Sequence, residues 1–216
     1  MDDEFPPPPR GGLTFDAEGR EWGLYHSRHF HVPSPGSGLT IGRGYDMKLR
    51  TKSQIRDDLV DSGLEPASAA LISQAAGLSG GQAEEFIEEN DLEDFEITVP
   101  QQLRLFEIEY ARKEADTRRL ATKPDVTRAY GATDWQALDP TIMDVLVDLR
   151  FRGDYTPAIR RFLQGCVASN DLEAFARELG NRERWPGVPE DRFQRRKAVC
   201  DAALASASAP ESDAEG

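Results

Sequence analysis

The stretch that most constrains the fold reads SGLTIGRGYDM, from Ser37 to Met47. The apolar and β-branched residues around Thr40 are typical of a short strand. The glycines of the run allow a tight turn and a close approach of other groups to the backbone. The run then reaches a carboxylate, Asp46. The pattern therefore predicts a strand and a turn that line a site.

A second carboxylate in an unusual setting lies upstream of this run. Glu18 belongs to the segment FDAEG at 15–19, which is flanked by apolar residues and closed by glycine. Each of the two acids is equally typical of a helix cap or a surface carboxylate, and Thr40 alone is typical of an ordinary strand hydroxyl. The residues by themselves leave both interpretations open.

Beyond the run, apolar spacing and capping residues predict a series of helices. Thr51 and Gln54 form a capping box for a helix that ends near Gly63. The helix that opens at Asp139 is apolar nearly all round, so we expect it to be central and buried. Basic residues at 195–197 predict a solvated helix face. The other helices are expected at about 66–77, 79–90, 98–122, 156 onward, 171–179 and 189–204.

These elements predict an α+β fold that is mostly helical. We expect two lobes, a small N-terminal loop and strand lobe and a helical C-terminal lobe, with a cleft for a ligand between them. Composition predicts a flexible proline-rich arm at 1–12, the folded domain at 13–205 and a disordered acidic tail at 206–216. Cys166 and Cys200 are expected to be buried free thiols, with one disulfide as the alternative.

Charge and hydropathy exclude several classes of function. The net charge of −13 argues against nucleic-acid binding, which needs a basic surface. The segment Glu84–Glu96 holds eight carboxylates and no basic residue; it predicts a solvated surface or, as the alternative, a docking patch for a basic partner. No window approaches the roughly 18 apolar residues of a membrane helix, so we expect no membrane insertion.

The run at 37–47, together with Glu18–Gly19, Ser27–Arg28, His31 and Pro33, strongly resembles the catalytic domain of the pesticin-like muramidases. That family shares the fold of the T-even phage lysozymes. The likeness covers roughly Leu13 to Leu204, closely over the first 35 residues and loosely beyond. The looser matches are Asp148–Gly153, Arg184–Trp185 and 192–197.

The resemblance implies hydrolysis of the β-1,4 bond between N-acetylmuramic acid and N-acetylglucosamine in peptidoglycan. Glu18 would be the general acid, and Thr40 and Asp46 would hold the water or stabilise the oxocarbenium-like sugar. The implied mechanism inverts the anomeric centre, which predicts carboxyl groups roughly 6.5–9.5 Å apart. No cofactor and no metal are expected.

Residues beside the implied catalytic groups are candidates for substrate binding. We predict sugar or substrate contacts for Tyr45, Arg43, Gly42 and Gly44. Arg43 has an alternative as a structural partner of a carboxylate. Trp22 and Tyr25 are further aromatic candidates, and core packing is equally expected for Trp22.

Three clustered histidines, His26, His29 and His31, suggest a metal site as a competing hypothesis. Pro33 and Pro35 follow them in a segment without helical pattern. We therefore expect a polar loop on the wall of the cleft and no metal.

No export signal is visible in the sequence, although peptidoglycan lies outside the cytoplasmic membrane. We expect a monomer made in the cytoplasm that acts in the periplasm or wall of a target or host bacterium. Three delivery routes stay open: a phage endolysin, an effector injected through a secretion apparatus, or a domain of a longer toxin. An effector would have a cognate immunity protein. The alternative functions are a catalytically inactive lysozyme-like module that binds peptidoglycan and an adaptor that uses the acidic segment.

Overall fold

A computed structural model describes residues 7–19, 21 and 26–208. Over these residues the chain is mostly helical and contains a small two-stranded sheet, which confirms the predicted α+β class. The chain divides into two compact units, 1–112 and 113–216. The first unit is larger than the predicted loop and strand lobe, because it also contains several helices.

The first unit holds the sheet and the N-terminal helices. Its strands are β1 (Thr40–Ile41) and β2 (Tyr45–Asp46), and a 3-10 turn spans Ser73–Ala75. Its helices are α1 (Gly12–Ala17), α2 (Lys52–Asp61), α3 (Pro66–Ile72) and α4 (Gly81–Glu89), and helix α5 (Val99–Ala121) continues into the second unit.

The two strands form an antiparallel hairpin in which Thr40 lies opposite Asp46 and Ile41 lies opposite Tyr45. Gly42 and Gly44 make the turn with φ angles of +64° and +80°, a backbone conformation that glycine adopts without steric cost. The predicted strand and turn are thereby confirmed, and a second strand follows the turn.

The hairpin is anchored by its inward side chains. Leu39, Ile41, Tyr45 and Met47 are fully buried in one apolar cluster with residues of α2 such as Leu59. Full burial of each aliphatic side chain stabilises the fold by roughly 1.5–3 kcal/mol, which fixes so short a sheet in place.

The second unit is built from helices. They are α6 (Pro124–Tyr130), α7 (Pro140–Arg152), α8 (Pro157–Ser169), α9 (Leu172–Leu179) and α10 (Glu190–Ser208), with a 3-10 turn at Arg182–Arg184. Asp139 caps α7 by accepting hydrogen bonds from the backbone N–H groups of Thr141 and Ile142. Helix α7 is the buried helix that the sequence predicts, with Val145, Leu146 and Leu149 fully enclosed.

The prediction of a solvated basic face on α10 is wrong for one residue. Arg195 is exposed, but Arg196 is only 1% exposed. Arg196 Nε donates to Asp148 at 2.6 Å and Nη1 donates to Asp154 at 2.9 Å. Helix α10 packs against α7, so its inner face meets the carboxylate of Asp148.

Both termini show more regular structure than predicted. Helix α1 begins at Gly12, and α10 extends to Ser208, three residues into the predicted tail. The rest of the predicted tail, 209–216, and residues 1–6 of the predicted arm lie outside the described residues. Helices α1 and α6 are absent from the sequence prediction.

Several smaller predictions are also resolved. Cys166 and Cys200 are free thiols, as expected, but Cys166 is half-buried whereas Cys200 is buried. Burial raises the pKa of the Cys200 thiol to about 12. The carboxylates of Glu84–Glu96 are all exposed, which is compatible with both the solvated surface and the docking patch. Within the described part of the chain, no helix is long and apolar enough to cross a membrane.

Candidate active site

Glu18 follows the last residue of helix α1 and caps its carboxyl end. Its backbone N–H donates to the carbonyl of Thr14 at 2.9 Å. Phe15 holds the short helix down through an edge-on contact with the ring of Phe106, with centroids 5.0 Å apart. The place of Glu18 therefore depends on a helix that tertiary packing stabilises.

Arg43, in the hairpin turn, holds the main chain on either side of Glu18. Its Nη1 donates to the carbonyl oxygens of Phe15 at 2.9 Å and Gly19 at 2.7 Å, and its guanidinium lies 4.2 Å from the centre of the Phe15 ring. Gly19 is required here, because a Cβ at this position would lie 2.4 Å from Arg43 Cδ.

The carboxylate partner of Arg43 is Glu21, which bonds to its Nη2. Arg43 is 7% exposed, so the structure supports the structural alternative and not a substrate contact. Gln102 also donates to Glu21 at 2.8 Å, and Arg28 lies 3.3 Å away. Burial alone would raise the pKa of Glu21, but the hydrogen bonds from Gln102 and Arg43 and the charges of Arg43 and Arg28 lower it below its ordinary value.

The Glu18 side chain lies against the hairpin turn at Gly44. A Cβ built on Gly44 would be 3.1 Å from Glu18 Oε2. The missing side chain at Gly44 therefore leaves room for the Glu18 carboxylate. Gly42 faces the other way, since its Cβ would meet Leu105 in the core, and it does not support the predicted substrate contact.

Asp46 and Thr40 both contact the peptide groups of Gly38. Asp46 Oδ2 accepts a hydrogen bond from Gly38 N at 3.1 Å, and Oδ1 accepts one from Lys48 N at 2.7 Å. The Thr40 hydroxyl donates to the Gly38 carbonyl at 3.1 Å. Because the two residues are directly opposite in an antiparallel pair, their side chains lie on the same face of the hairpin.

Tyr45 does not occupy the position predicted for a sugar contact. It is 1% exposed, its hydroxyl donates to Asp58 Oδ2 at 2.6 Å, and its ring lies 4.1 Å from the guanidinium carbon of Arg50. Burial, and then the bond to Asp58, raise the pKa of Tyr45 far above its ordinary value. Successive strand residues face opposite sides, so Tyr45 faces the core where Asp46 faces outward. Trp22 and Tyr25 lie outside the described residues.

The three histidines do not form one group. His31 pairs with Thr40 in a β-bridge beside β1. His26 and His29 instead lie together, with ring centroids 5.2 Å apart, and Glu96 is their carboxylate neighbour. Burial, and then the charge of Arg28, lower the pKa of His26.

Several polar residues around this site were not predicted from the sequence. Asp58, which is buried on α2, accepts hydrogen bonds from both Tyr45 and Arg112. An available signal was its position between Ile55 and Leu59, on the apolar face of the predicted helix. The sequence gives only a weak indication that Glu21 belongs to the site, namely that it is a second acid three residues after Glu18. The sequence gives no indication for Glu96, because its neighbours Arg28 and His29 are distant in sequence.

The model of a family described as a domain of unknown function, DUF8812, matches residues 11–197. The chain therefore belongs to this family, and the match runs from the residue before α1 into α10. The search of curated proteins found no match.

Proposed function

We propose that this protein is a muramidase with a lysozyme-like two-lobe fold, and that it hydrolyses the β-1,4 bond between N-acetylmuramic acid and N-acetylglucosamine. One observation carries the proposal. Glu18 lies against Gly44, in the turn of the hairpin whose strands place Thr40 opposite Asp46. The three residues named by the resemblance to pesticin-like muramidases thus belong to one substructure of the first unit.

Glycoside hydrolysis needs an acid at the leaving oxygen and a second polar group at the opposite face of the sugar. In this proposal Glu18 donates the proton to the leaving oxygen. Its Oε1 atom is buried and its Oε2 atom lies at the glycine turn. A proton-transferring side chain of this kind accelerates a reaction by about 10²–10⁴-fold.

Asp46 and Thr40 are suited to hold a water. Each carboxylate oxygen of Asp46 accepts one backbone hydrogen bond, which fixes the group and leaves further acceptor positions. The Thr40 hydroxyl donates its proton to the Gly38 carbonyl, so it would meet a water as a hydrogen-bond acceptor. The Asp46 carboxylate would take one proton from the attacking water as general base, and Thr40 would hold that water by accepting a hydrogen bond from it.

The substrate sets the place of action. Peptidoglycan lies outside the cytoplasmic membrane, so the protein would act in the periplasm or wall of a target or host bacterium. Release as an endolysin, injection as an effector and transport within a longer toxin are all compatible with the proposal. In the second case a secretion apparatus component and a cognate immunity protein would be partners.

The first test compares two neighbouring acids. Glu18→Gln removes the proposed acid, whereas Asp16→Asn changes an exposed acid on α1. We expect Glu18→Gln to reduce the release of dye from labelled peptidoglycan by about 10²–10⁴-fold and Asp16→Asn to leave it unchanged. Circular dichroism checks that both variants are folded.

Equal activity of folded Glu18→Gln and wild-type protein would contradict the proposal. Binding of peptidoglycan without any turnover by the wild-type protein would instead identify an inactive lysozyme-like module.

A further inference from the structure

Three groups that commonly ligate metals converge where the loop at 26–29 meets the segment before α5. His26, His29 and Glu96 each offer one ligand atom, and these atoms all lie within 4.8 Å of one another. The backbone holds the segments together, because His29 and Glu96 form an antiparallel β-bridge and Ile97 N donates to the Arg28 carbonyl at 3.0 Å.

The distances are close to those of a metal site. Zinc bonds to nitrogen and oxygen measure about 2.0–2.2 Å, and tetrahedral geometry then places ligand atoms about 3.3 Å apart. The present atoms need to approach one another by about 1.5 Å at most. The side chains of His29 and Glu96 are 36% and 41% exposed, so they have room to rotate and are open to ions in solution.

We propose that His26, His29 and Glu96 bind a divalent transition-metal ion, Zn²⁺ above all, with water as the fourth ligand. Two imidazoles and one carboxylate suit zinc, and the softer ligand set disfavours Mg²⁺ and Ca²⁺, which prefer oxygen ligands. The ion would crosslink the loop at 26–29 to the segment before α5. It takes no part in cleavage, so the proposal is independent of the proposed function.

A cation already holds part of this cluster together. Arg28 Nη1 lies 2.7 Å from Glu96 Oε1, and Arg28 Nε lies 3.3 Å from Glu21 Oε2. A metal ion would replace the guanidinium at Glu96 and also at His26, whose Nε2 lies 3.4 Å from Arg28 Nη2, while Arg28 keeps Glu21 as its partner. The exchange puts a divalent ion in place of a single positive charge, so the carboxylate is not left unpaired.

The test measures zinc binding on the full chain, purified without a polyhistidine tag and stripped with chelator. Isothermal titration with ZnCl₂ is expected to give one site per chain. His29→Gln and Glu96→Gln should each weaken binding at least tenfold. His31→Gln and Glu93→Gln, a histidine of the same loop and an exposed acid of the same segment, should leave the affinity unchanged.

A measurement without mutations protects the test against variants that fail to fold. The chain has three histidines. In the imidazole ¹⁵N spectrum, Zn²⁺ should shift a ring nitrogen of His26 and of His29 and leave His31 in place. The proposal is overturned by absence of binding heat, by equal affinity in all four variants, or by a ligation shift at His31 in place of the other two.

Discussion

The two units of the chain bury arginine for different purposes. In the first unit, Arg43 donates to two main-chain carbonyls beside Glu18 and pairs with Glu21. In the second unit, Arg196 binds two side-chain carboxylates, Asp148 and Asp154. The arrangement around Arg43 holds the irregular backbone on either side of Glu18. The arrangement around Arg196 joins regular helices, and it teaches that a buried charge by itself does not mark an active site.

The helix-joining network is expected to give the largest effect on stability. Asp148 is fully buried and bonds to both Arg192 and Arg196 at 2.6 Å. Removal of Arg196 takes away one of the two cations at this buried carboxylate while Arg192 stays in place, and the loss of a buried hydrogen-bond partner costs about 1–3 kcal/mol. Arg196→Met should therefore lower the free energy of unfolding by this amount in urea denaturation.

The neighbouring Arg195→Met is the matched control, because Arg195 is exposed. We expect it to change stability by less than about 0.5 kcal/mol. Equal urea midpoints for Arg196→Met and Arg195→Met would contradict this account, since Arg196 would then have no role in joining the helices.

Two glycines with positive φ angles, one in each unit, allow a matched comparison of the units at the level of the backbone. Gly44 and Gly153 have φ angles of +80° and +90°, so alanine at either position costs about 1–2 kcal/mol. A Cβ at Gly44 would lie against Glu18, the proposed general acid, whereas a Cβ at Gly153 meets nothing within 4 Å. Gly44→Ala should lose hydrolytic activity and Gly153→Ala should keep it, at similar losses of stability.

Peptidoglycan turnover measures the hydrolytic activity of both glycine variants, and thermal denaturation measures their stability. If both variants kept full activity, the space at Gly44 would not serve Glu18.

The smallest expected effect concerns acid stability in the first unit. The pKa of Glu21 is lowered in the folded state from an ordinary value of 4.5. Its contribution is therefore fully present above pH 4.5 and is lost as the pH falls through the folded pKa. Glu21→Gln should be less stable than wild type at neutral pH, and the difference should shrink in acid.

Urea titrations from about pH 6 to about pH 3 measure this difference. Glu93→Gln, at an exposed acid, is the control and should follow the wild-type curve. A Glu21→Gln curve parallel to that of the wild type over the whole range would show that Glu21 gains nothing from Arg43.

Most helices were predictable because capping residues close in sequence mark where they begin. Thr51 with Gln54, Asp139 with Pro140 and Thr156 with Pro157 all mark N-termini as observed. Helix α1 has no such signal, since Gly11 is its N-cap and makes no side-chain hydrogen bond. It is held by tertiary contacts of Phe15, which single-sequence patterns do not show. Helix α6 is only seven residues long, and Val126 is its buried residue.

The candidate site was predictable in part for the same reason. The hairpin at 37–47 is local, so its turn glycines and its outward Asp46 follow from the sequence. The inward position of Tyr45 depends on which face of a two-residue strand meets the core. The partners of Arg43, Glu96 and Arg196 come from distant parts of the sequence, and a charge pattern does not reveal them.

The central claim is that Glu18 protonates a glycosidic oxygen in peptidoglycan, and product analysis tests it most directly. Purified peptidoglycan is digested with wild-type protein and with Glu18→Gln, and the soluble fragments are reduced and analysed by mass spectrometry. The account predicts muropeptides with new reducing-end N-acetylmuramic acid from the wild type and none from Glu18→Gln. Cleaved peptide bonds with intact glycan strands, or the same muropeptides from folded Glu18→Gln, would contradict it.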